Sequence, residues 1–476
     1  MKKVFKAHPL MIMDTVKPFL LIWILPFVKA TFQYYIKGKI TDIIGIEPIV
    51  FGIITFIAIF EWLSVRIICE NDCVTVKKGV IFKTGAKIDS KNLSSVQIVQ
   101  DPIDFILRSV TVNINTEAGL RNRPDFKLKL WLKDGKVLTK TLYKDVTTGK
   151  GRFSSLRIAV MAAATSSAFS GMLISVPVIN RAGKLLGIGL YDMLIDELET
   201  VSSKIQNYFP HIVNTLTLAI LLFYAFSFIY SFIRYLNFKL LLGEDRLEVH
   251  SGLIVRTKTA FKKASVNNVM IIQTPLMLLI KRFALKVSVG GFGEKGRESQ
   301  IVVPAGRYND IKNDFSEYFP FLVPDSTPLT AGRSFLQRSR FFFWPSVCLL
   351  ILIPSSIVLS LLFADLNRFI FFVTLVLLIV IFYYAYLGMF EYKYGKIQFG
   401  KSVSARSTKG AKTCRLYCPR EKIGEVKLTR YIPDICYNTC RVRVTVCSEH
   451  ADSIRVRHLD YTETLRNIKE CFNVDV

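Results

Sequence analysis

The sequence predicts a membrane protein in which α-helical transmembrane hairpins alternate with three antiparallel β blocks. Two observations carry that reading. A stretch running from Glu70 through Gly79 to Phe82, and on to Val96 and Pro102, recurs without a gap as Glu244 through Gly252 to Val255, ending at Val269 and Pro275. Asp72, Gly79, Val96, Gln100 and Pro102 match Asp245, Gly252, Val269, Gln273 and Pro275. Each copy alternates apolar and polar residues, turns at a polar or Gly position, and alternates again. That is the period of antiparallel strands with one buried face, and internal self-similarity makes it a repeated unit. The second observation is that a pair of hydrophobic segments precedes each copy. Hydrophobic residues make up 51% of the chain, and the mean hydropathy is +0.35.

The formal net charge is +26. Lys and Arg are spread through all three polar blocks, a pattern that suits nucleic acid or an anionic membrane surface. No homeodomain, zinc-finger or aromatic RNA-binding signature appears, so no nucleic-acid partner is expected. The basic start Met1-Lys2-Lys3 leads into an apolar run without a small-residue cleavage site, which predicts a retained anchor.

In chain order, residues 1–64 hold a short lead containing His8-Pro9 and a first hairpin. Its runs are Pro18 to Ile36, interrupted by Pro26 and Lys29, and Pro48 to Leu63, with Trp62 where an interfacial aromatic would sit. Both are near the lower length limit for a span. Residues 65–150 form the first β block, in which Leu128–Leu132 and Val137–Thr139 read as a hairpin around Lys133-Asp134-Gly135-Lys136. Residues 151–234 form the second membrane pair. Its first member, 157–179, is rich in small residues and reads as a span packed inside a bundle, with an amphipathic surface helix as the alternative. Its second, Ile212 to Ile233, is a clear span.

The second β block covers 235–320 and closes with a helix from Arg307 to Tyr318. A polar linker at 321–340 precedes the last hairpin at 341–390, and the third β block occupies 391–476. That block ends in a helix from Tyr461 to Phe472, with Asp460 as N-cap and Glu463 three residues on. The basic lead and β blocks, set against short or acidic hairpin turns, predict that the blocks face the cytoplasm from a multi-pass inner membrane protein. Six spans put all three blocks on one side; five would not.

The signature Asp-x-[Val/Leu]-x-Val-x-x-Gly-x-Ile followed by Val-x-Ile-x-Gln-x-Pro resembles the bacterial pleckstrin-homology-like membrane proteins, in their long multi-repeat branch. It is carried by Asp72, Val74, Val76, Gly79, Ile81, Val96, Ile98, Gln100 and Pro102, and by their counterparts Asp245 to Pro275. The His8-Pro9 pair is also similar to this family. The resemblance implies PH-like domains, each a two-sheet β-barrel or sandwich with a C-terminal helix. It also implies a companion single-repeat PH-like membrane protein or self-association. It implies neither catalysis nor a cofactor. The third block departs from the pattern: Val426 to Arg430 stands where the Val-Ile-Gln motif should be, with Arg430 for Gln, and Gly410 is the only match to Gly79.

The candidate site residues are basic. Lys77, Lys78, Lys83, Lys87 and Arg108 belong to the first block, and Arg256, Lys258, Lys262, Lys263, Lys281 and Arg282 to the second. Arg415, Arg420, Lys422, Arg430, Arg441 and Arg443 belong to the third. Near an anionic leaflet each gains about 1 kcal/mol; otherwise they are a solvated face. Arg108 and the Lys281-Arg282 pair follow apolar loops (Ile103 to Leu107; Leu276 to Ile280). Such loops either enter the membrane interface, grip a partner or plug the end of the barrel, and the plug is the favoured reading. Cys414, Cys418, Cys436 and Cys440 invite a zinc reading, but their spacing within strand-like sequence favours buried thiols, so no metal is expected. Gly291, Gly293 and Gly296 lead into a strand rather than a helix, which removes a dinucleotide site.

The function expected is that of a non-enzymatic scaffold whose blocks bind protein partners and anionic lipid headgroups. The alternative is a component of a membrane transport, export or resistance system.

Overall fold

The computed structural model describes residues 3–19, 47–70, 73–79, 83–116, 125–142, 151–167, 211–289, 300–323, 326–330, 335–364, 367–447 and 452–473, with isolated positions between 175 and 200. Most of the first apolar run, Asp72 and the glycine loop at 291–296 lie outside them.

The chain opens with β1 (Lys3–Lys6), α1 (Leu10–Val16) and α2 (Glu47–Ser64). The first block follows as β2 (Arg66–Glu70), β3 (Cys73–Lys78), β4 (Thr84–Asp89), β5 (Leu93–Gln100), α3 (Pro102–Ile106), β6 (Ser109–Thr116), β7 (Phe126–Trp131) and α4 (Leu132–Leu142). Then come α5 (Ser155–Thr165) and α6 (His211–Tyr235). The second block comprises β8 (Lys239–Leu242), β9 (Arg246–Ser251), β10 (Arg256–Lys262), β11 (Val266–Gln273), α7 (Pro275–Leu279), β12 (Phe283–Val289), β13 (Gln300–Gly306) and α8 (Tyr308–Ser316). A short β14 (Leu329–Thr330) precedes the long helices α9 (Phe335–Leu362) and α10 (Asn367–Tyr394). The third block is β15 (Lys396–Gln398), β16 (Ser402–Lys409), β17 (Lys412–Pro419), β18 (Ile423–Thr429), α11 (Ile432–Cys436), β19 (Thr439–Val446), β20 (Ser453–Asp460) and α12 (Tyr461–Phe472).

Among the described residues the strands form four sheets, all antiparallel. The chain divides into two compact units, one built on residues 1–151 and 240–265, the other on 152–239, 266–289 and 298–476. In the first unit, β1-β2-β3-β4 form one sheet and β7-β6-β5-β10-β9-β8 the other. Their facing sides bury Ile67, Val74, Leu93, Val112, Ile114, Leu130 and Leu138. In the second unit, a seven-stranded sheet ordered β13-β12-β11-β17-β16-β15-β14 accompanies the three-stranded β18-β19-β20. Val403, Leu416, Val442, Val444, Val456 and Leu459 form its core.

Closed barrels are not what these strands make. Among the described residues the edges that would seal a barrel are used otherwise: β5 pairs β10 and β11 pairs β17, each a strand of the following block. An exposed edge offers unpaired backbone groups, and here a neighbouring block takes them up.

Three further expectations are corrected. Leu132 to Thr139 is not half of a hairpin but the start of α4, because Gly135, Leu138 and Leu142 recur at helical spacing and are buried. Burying the two leucines contributes about 1.5–3 kcal/mol each, which outweighs the Asp-Gly turn signal. A Cβ on Gly135 would lie 2.4 Å from the Val110 side chain, so glycine here serves helix–sheet contact. The continuous helix expected over 157–179 ends early, since α5 stops at Thr165 and Ser166 is extended with ψ 149°. The linker expected at 321–340 contains β14 and the beginning of α9.

Among the described residues three helices are long and apolar enough to cross a membrane, over Thr217–Tyr235, Ser339–Leu362 and Phe369–Tyr394; Ile49–Ser64 and Ser155–Thr165 are shorter apolar helices. Trp62 is tied down rather than free at an interface, its indole donating to the Ala7 carbonyl at 2.8 Å. The C-terminal helix is as expected: Asp460 accepts from the Glu463 amide at 2.9 Å.

Candidate functional site

One local succession stands at three places: strand, five-residue helix, a non-glycine residue at positive φ, strand. The first strands begin at Leu93, Val266 and Ile423, the helices at Pro102, Pro275 and Ile432, and the positive-φ residues are Arg108, Lys281 and Asn438. Among the described side chains the third residue of each helix is the buried one: Asp104, Met277 and Asp434. The rest of each knuckle faces out, with Ile106 76%, Leu279 78% and Ile432 80% exposed. These loops do not plug a barrel. A five-residue helix has one face wide enough for a single inward side chain, so the others stand in the open.

The glutamines of the repeated motif tie the strand end to the knuckle. Gln100 donates to the Ser109 carbonyl at 3.5 Å, and Gln273 to the Met277 carbonyl at 3.4 Å. Arg430, in the same place in the third block, instead stacks 4.1 Å above the Tyr461 ring.

The third block is clamped to the two long apolar helices by ion pairs. Arg340, near the start of α9, pairs with buried Asp434 of α11, which also accepts from the Tyr431 amide and the Thr439 hydroxyl. Burial alone would raise the Asp434 pKa; the Tyr431 amide and Arg340 overcome it and hold the carboxyl below its usual range. Arg441 lies 3.4 Å from the same carboxylate. Near the end of α10, buried Glu391 pairs with Arg457 and accepts from Ser407 at 3.1 Å and Thr408 at 3.2 Å. His458, at φ 59°, stacks edge-on against Phe341 with ring centroids 4.8 Å apart. Burial, with Arg340 nearby, lowers its pKa to about 4.

Between these clamps lies a cavity of about 700 Å³, within the range typical of ligand pockets. Its apolar wall comes from α9 and α10 and includes Trp344, Tyr384 and Leu387. Its opposite wall is basic: Lys409 from the β16–β17 turn, Arg441 and Arg443 from β19, and Arg455 and Arg457 from β20. The alternation along β19 and β20 explains this face. Val442, Val444, Ile454 and Val456 point into the core, so the residues between them point away from it.

The expected basic residues fall into distinct environments. Lys77 is exposed on β3, and Lys78 pairs with Glu61 at 2.6 Å. Lys262 donates to the Ser90 carbonyl at 2.9 Å, fastening a turn of the first block. Lys263 and Arg282 are half-buried, while Arg108 and Lys281 are exposed where the chain turns at positive φ. Arg415 lies 3.8 Å from the Tyr308 ring centre. Arg441 and Arg443 reach the cavity, whereas its other cations, Arg340, Lys409, Arg455 and Arg457, and its carboxylate Glu391 were missed. The signal for two of them was present: Arg455-Val456-Arg457 repeats the alternation of Arg441-Val442-Arg443.

The cysteines do not converge. Burial pushes the Cys418 thiol up to about 12, and those of Cys414 and Cys440 to about 11, while Cys436 is exposed. Among the described residues no group of three or more His, Cys, Asp or Glu side chains could hold a metal.

The strand–knuckle–strand succession and the paired antiparallel sheets define a PH-like module accompanied by long apolar helices. The sequence matches the bacterial PH domain family over residues 10–145 and 190–312, more than half its length, and the chain belongs to that family. The third block lies outside both matched segments. No curated protein and no solved structure matches the chain.

Proposed function

We propose that the chain is a non-enzymatic membrane scaffold whose PH-like blocks rest on an anionic, cytoplasm-facing leaflet and present their remaining surfaces to protein partners. A single-repeat relative or a second copy of the chain is the natural partner class. The observation that carries the reading is the pair of clamps Arg340–Asp434 and Glu391–Arg457. They bind the third block to the polar ends of two helices suited to a bilayer, which supports reading α11 as lying at headgroup depth. Its exposed Ile432 and Ile435, with the flanking Tyr431 and Tyr437, are the side chains an interface accepts. Arg441 and Arg340 lie over the two tyrosine rings, at 4.4 Å and 5.5 Å. The knuckles of α3 and α7, with Arg108 and Lys281 beside them, repeat the combination of apolar tip and cation.

Spin labels at Ile106, Leu279 and Ile432 of the full chain in liposomes containing anionic lipid test the reading. Relaxation at all three sites should respond to oxygen more than to a water-soluble nickel chelate. Free access of the chelate to all three would sink it.

A further inference from the structure

We infer that the cavity between α9, α10 and the outward face of β19 and β20 is a binding site for one anionic phospholipid, with the phosphate on Arg443, Arg455 and Lys409 and acyl chain against Trp344 and Tyr384. This deepens the scaffold reading and rests on it.

The charge count is the first argument. Six cations and a single carboxylate line the cavity. Arg340 and Arg441 are directed to Asp434, and Arg457 to Glu391. Among the described residues Arg443, Arg455 and Lys409 have no carboxylate partner. Arg443 and Arg455 are also direct cross-strand neighbours, and Lys427 is the neighbour of Arg443 on its other side. Three like charges in register across three strands oppose sheet formation, unless an anion lies against them.

A comparison within the chain sharpens the point. The residue five beyond the positive-φ position is Arg443 in the third block and Asn113 in the first. Asn113 is buried and donates to Gln97 at 3.3 Å, so the corresponding row of the first block is Gln97, Asn113 and Lys127. The cationic row is therefore no requirement of the fold.

The second argument is the division of the walls. A soluble phosphate would need only the arginines, which match phosphate oxygens bidentately. The facing wall belongs to helices of membrane length and offers Trp344, 70% exposed, together with Tyr384 and Leu387. An amphiphile that is anionic at one end and hydrocarbon at the other satisfies both walls.

The test is native mass spectrometry of the full chain released from detergent, titrated with dioleoyl phosphatidylglycerol, dioleoyl phosphatidylcholine or glycerol 3-phosphate. Wild type should retain one phosphatidylglycerol, and the double variant Arg443→Gln/Arg455→Gln should hold it about thirtyfold more weakly, the factor expected from two basic contacts of ordinary strength. The double variant should unfold no earlier than wild type without lipid, because it removes like-charge repulsion; the single variant Arg443→Gln, expected to be weakened in part, guards against misfolding. Equal retention of phosphatidylcholine, or undiminished phosphatidylglycerol binding by both variants, overturns the site. Displacement by glycerol 3-phosphate at equal concentration overturns the lipid and leaves a soluble phosphate ester as ligand. Either failure, with the spin labels still in the lipid phase, removes the site and spares the scaffold reading.

Discussion

Asp104 and Asp434 hold the same position in two different blocks, each the third residue of a five-residue helix and each accepting from a hydroxyl at the start of the next strand. Ser109 donates to Asp104 at 2.6 Å, and Thr439 to Asp434 at 3.3 Å. Each is also given a cation, Lys129 at 3.2 Å for Asp104 and Arg340 for Asp434. Met277 fills the position in the second block, so the fold itself does not demand a carboxylate. What Asp434 adds is attachment of the block to α9.

Asp434→Asn should therefore cost about 3 kcal/mol, the usual penalty for leaving one member of a buried pair without its partner. The loss should be local. Hydrogen exchange in β19 and β20 should quicken while the first block keeps its protection. Equal protection of β19 in variant and wild type would show that the pair does not hold the block.

Acid should loosen the same region through His458. Its folded pKa of about 4 lies below the ordinary 6.5, so between these values the unfolded chain binds a proton that the folded chain does not. Stability is then present above pH 6.5 and falls as pH drops toward 4. Asp434, with its folded pKa depressed, contributes stability that is lost only at lower pH, below the ordinary carboxyl value. His458→Asn, chosen because asparagine tolerates positive φ, should flatten the dependence of thermal unfolding between pH 6.5 and 4.5. A slope as steep as that of wild type would assign the acid response to another group.

Gly388 lets α10 approach α9. A Cβ there would stand 2.6 Å from the Phe341 carbonyl oxygen. Helix propensity alone favours Gly388→Ala by about 1 kcal/mol, whereas overpacking costs roughly 1–3 kcal/mol. The carbonyl belongs to a helix backbone and cannot swing aside, so the net effect should be destabilising. The melting temperature of the detergent-solubilised chain decides the sign, and a rise would mean the helices can part at little cost.

How much of this was legible in the sequence depends on the length scale. Period-two alternation named the strands, and the capping pattern of Asp460 and Glu463 located α12 almost to the residue. The failures came where two local signals competed. Asp134-Gly135 is a good hairpin turn, but Leu138 and Leu142 also suit a helix on the sheet, and only burial settles which wins. Similarly, Leu276 to Ile280 is apolar enough to be core, yet the five-residue helix buries Met277, half-buries Leu278 and exposes the rest. Pairing of β5 with β10 and of β11 with β17 is a choice of partner, which alternation cannot encode. The cavity was partly visible: Arg441 and Arg443 were among the six basic candidates of the third block, whereas Arg340 was hidden in an expected linker and Glu391 at the edge of an apolar run.

Lys281 separates a backbone role from a charge role. It sits at φ 52°, where glycine and asparagine are at ease and a β-branched residue is strained. Its amide closes the turn, donating to the Leu278 carbonyl at 3.2 Å. Lys281→Gly should keep the fold and lose only the charge, weakening the preference of the full chain for anionic over neutral lipid by up to about fivefold. Lys281→Val should keep neither, costing roughly 1–2 kcal/mol of stability. Thermal unfolding combined with lipid titration of both variants distinguishes the two contributions. If Lys281→Gly is stable but binds anionic lipid as wild type does, the cation at the knuckle is a feature of the turn alone, and the proposed leaflet contact loses Lys281 as a contributor.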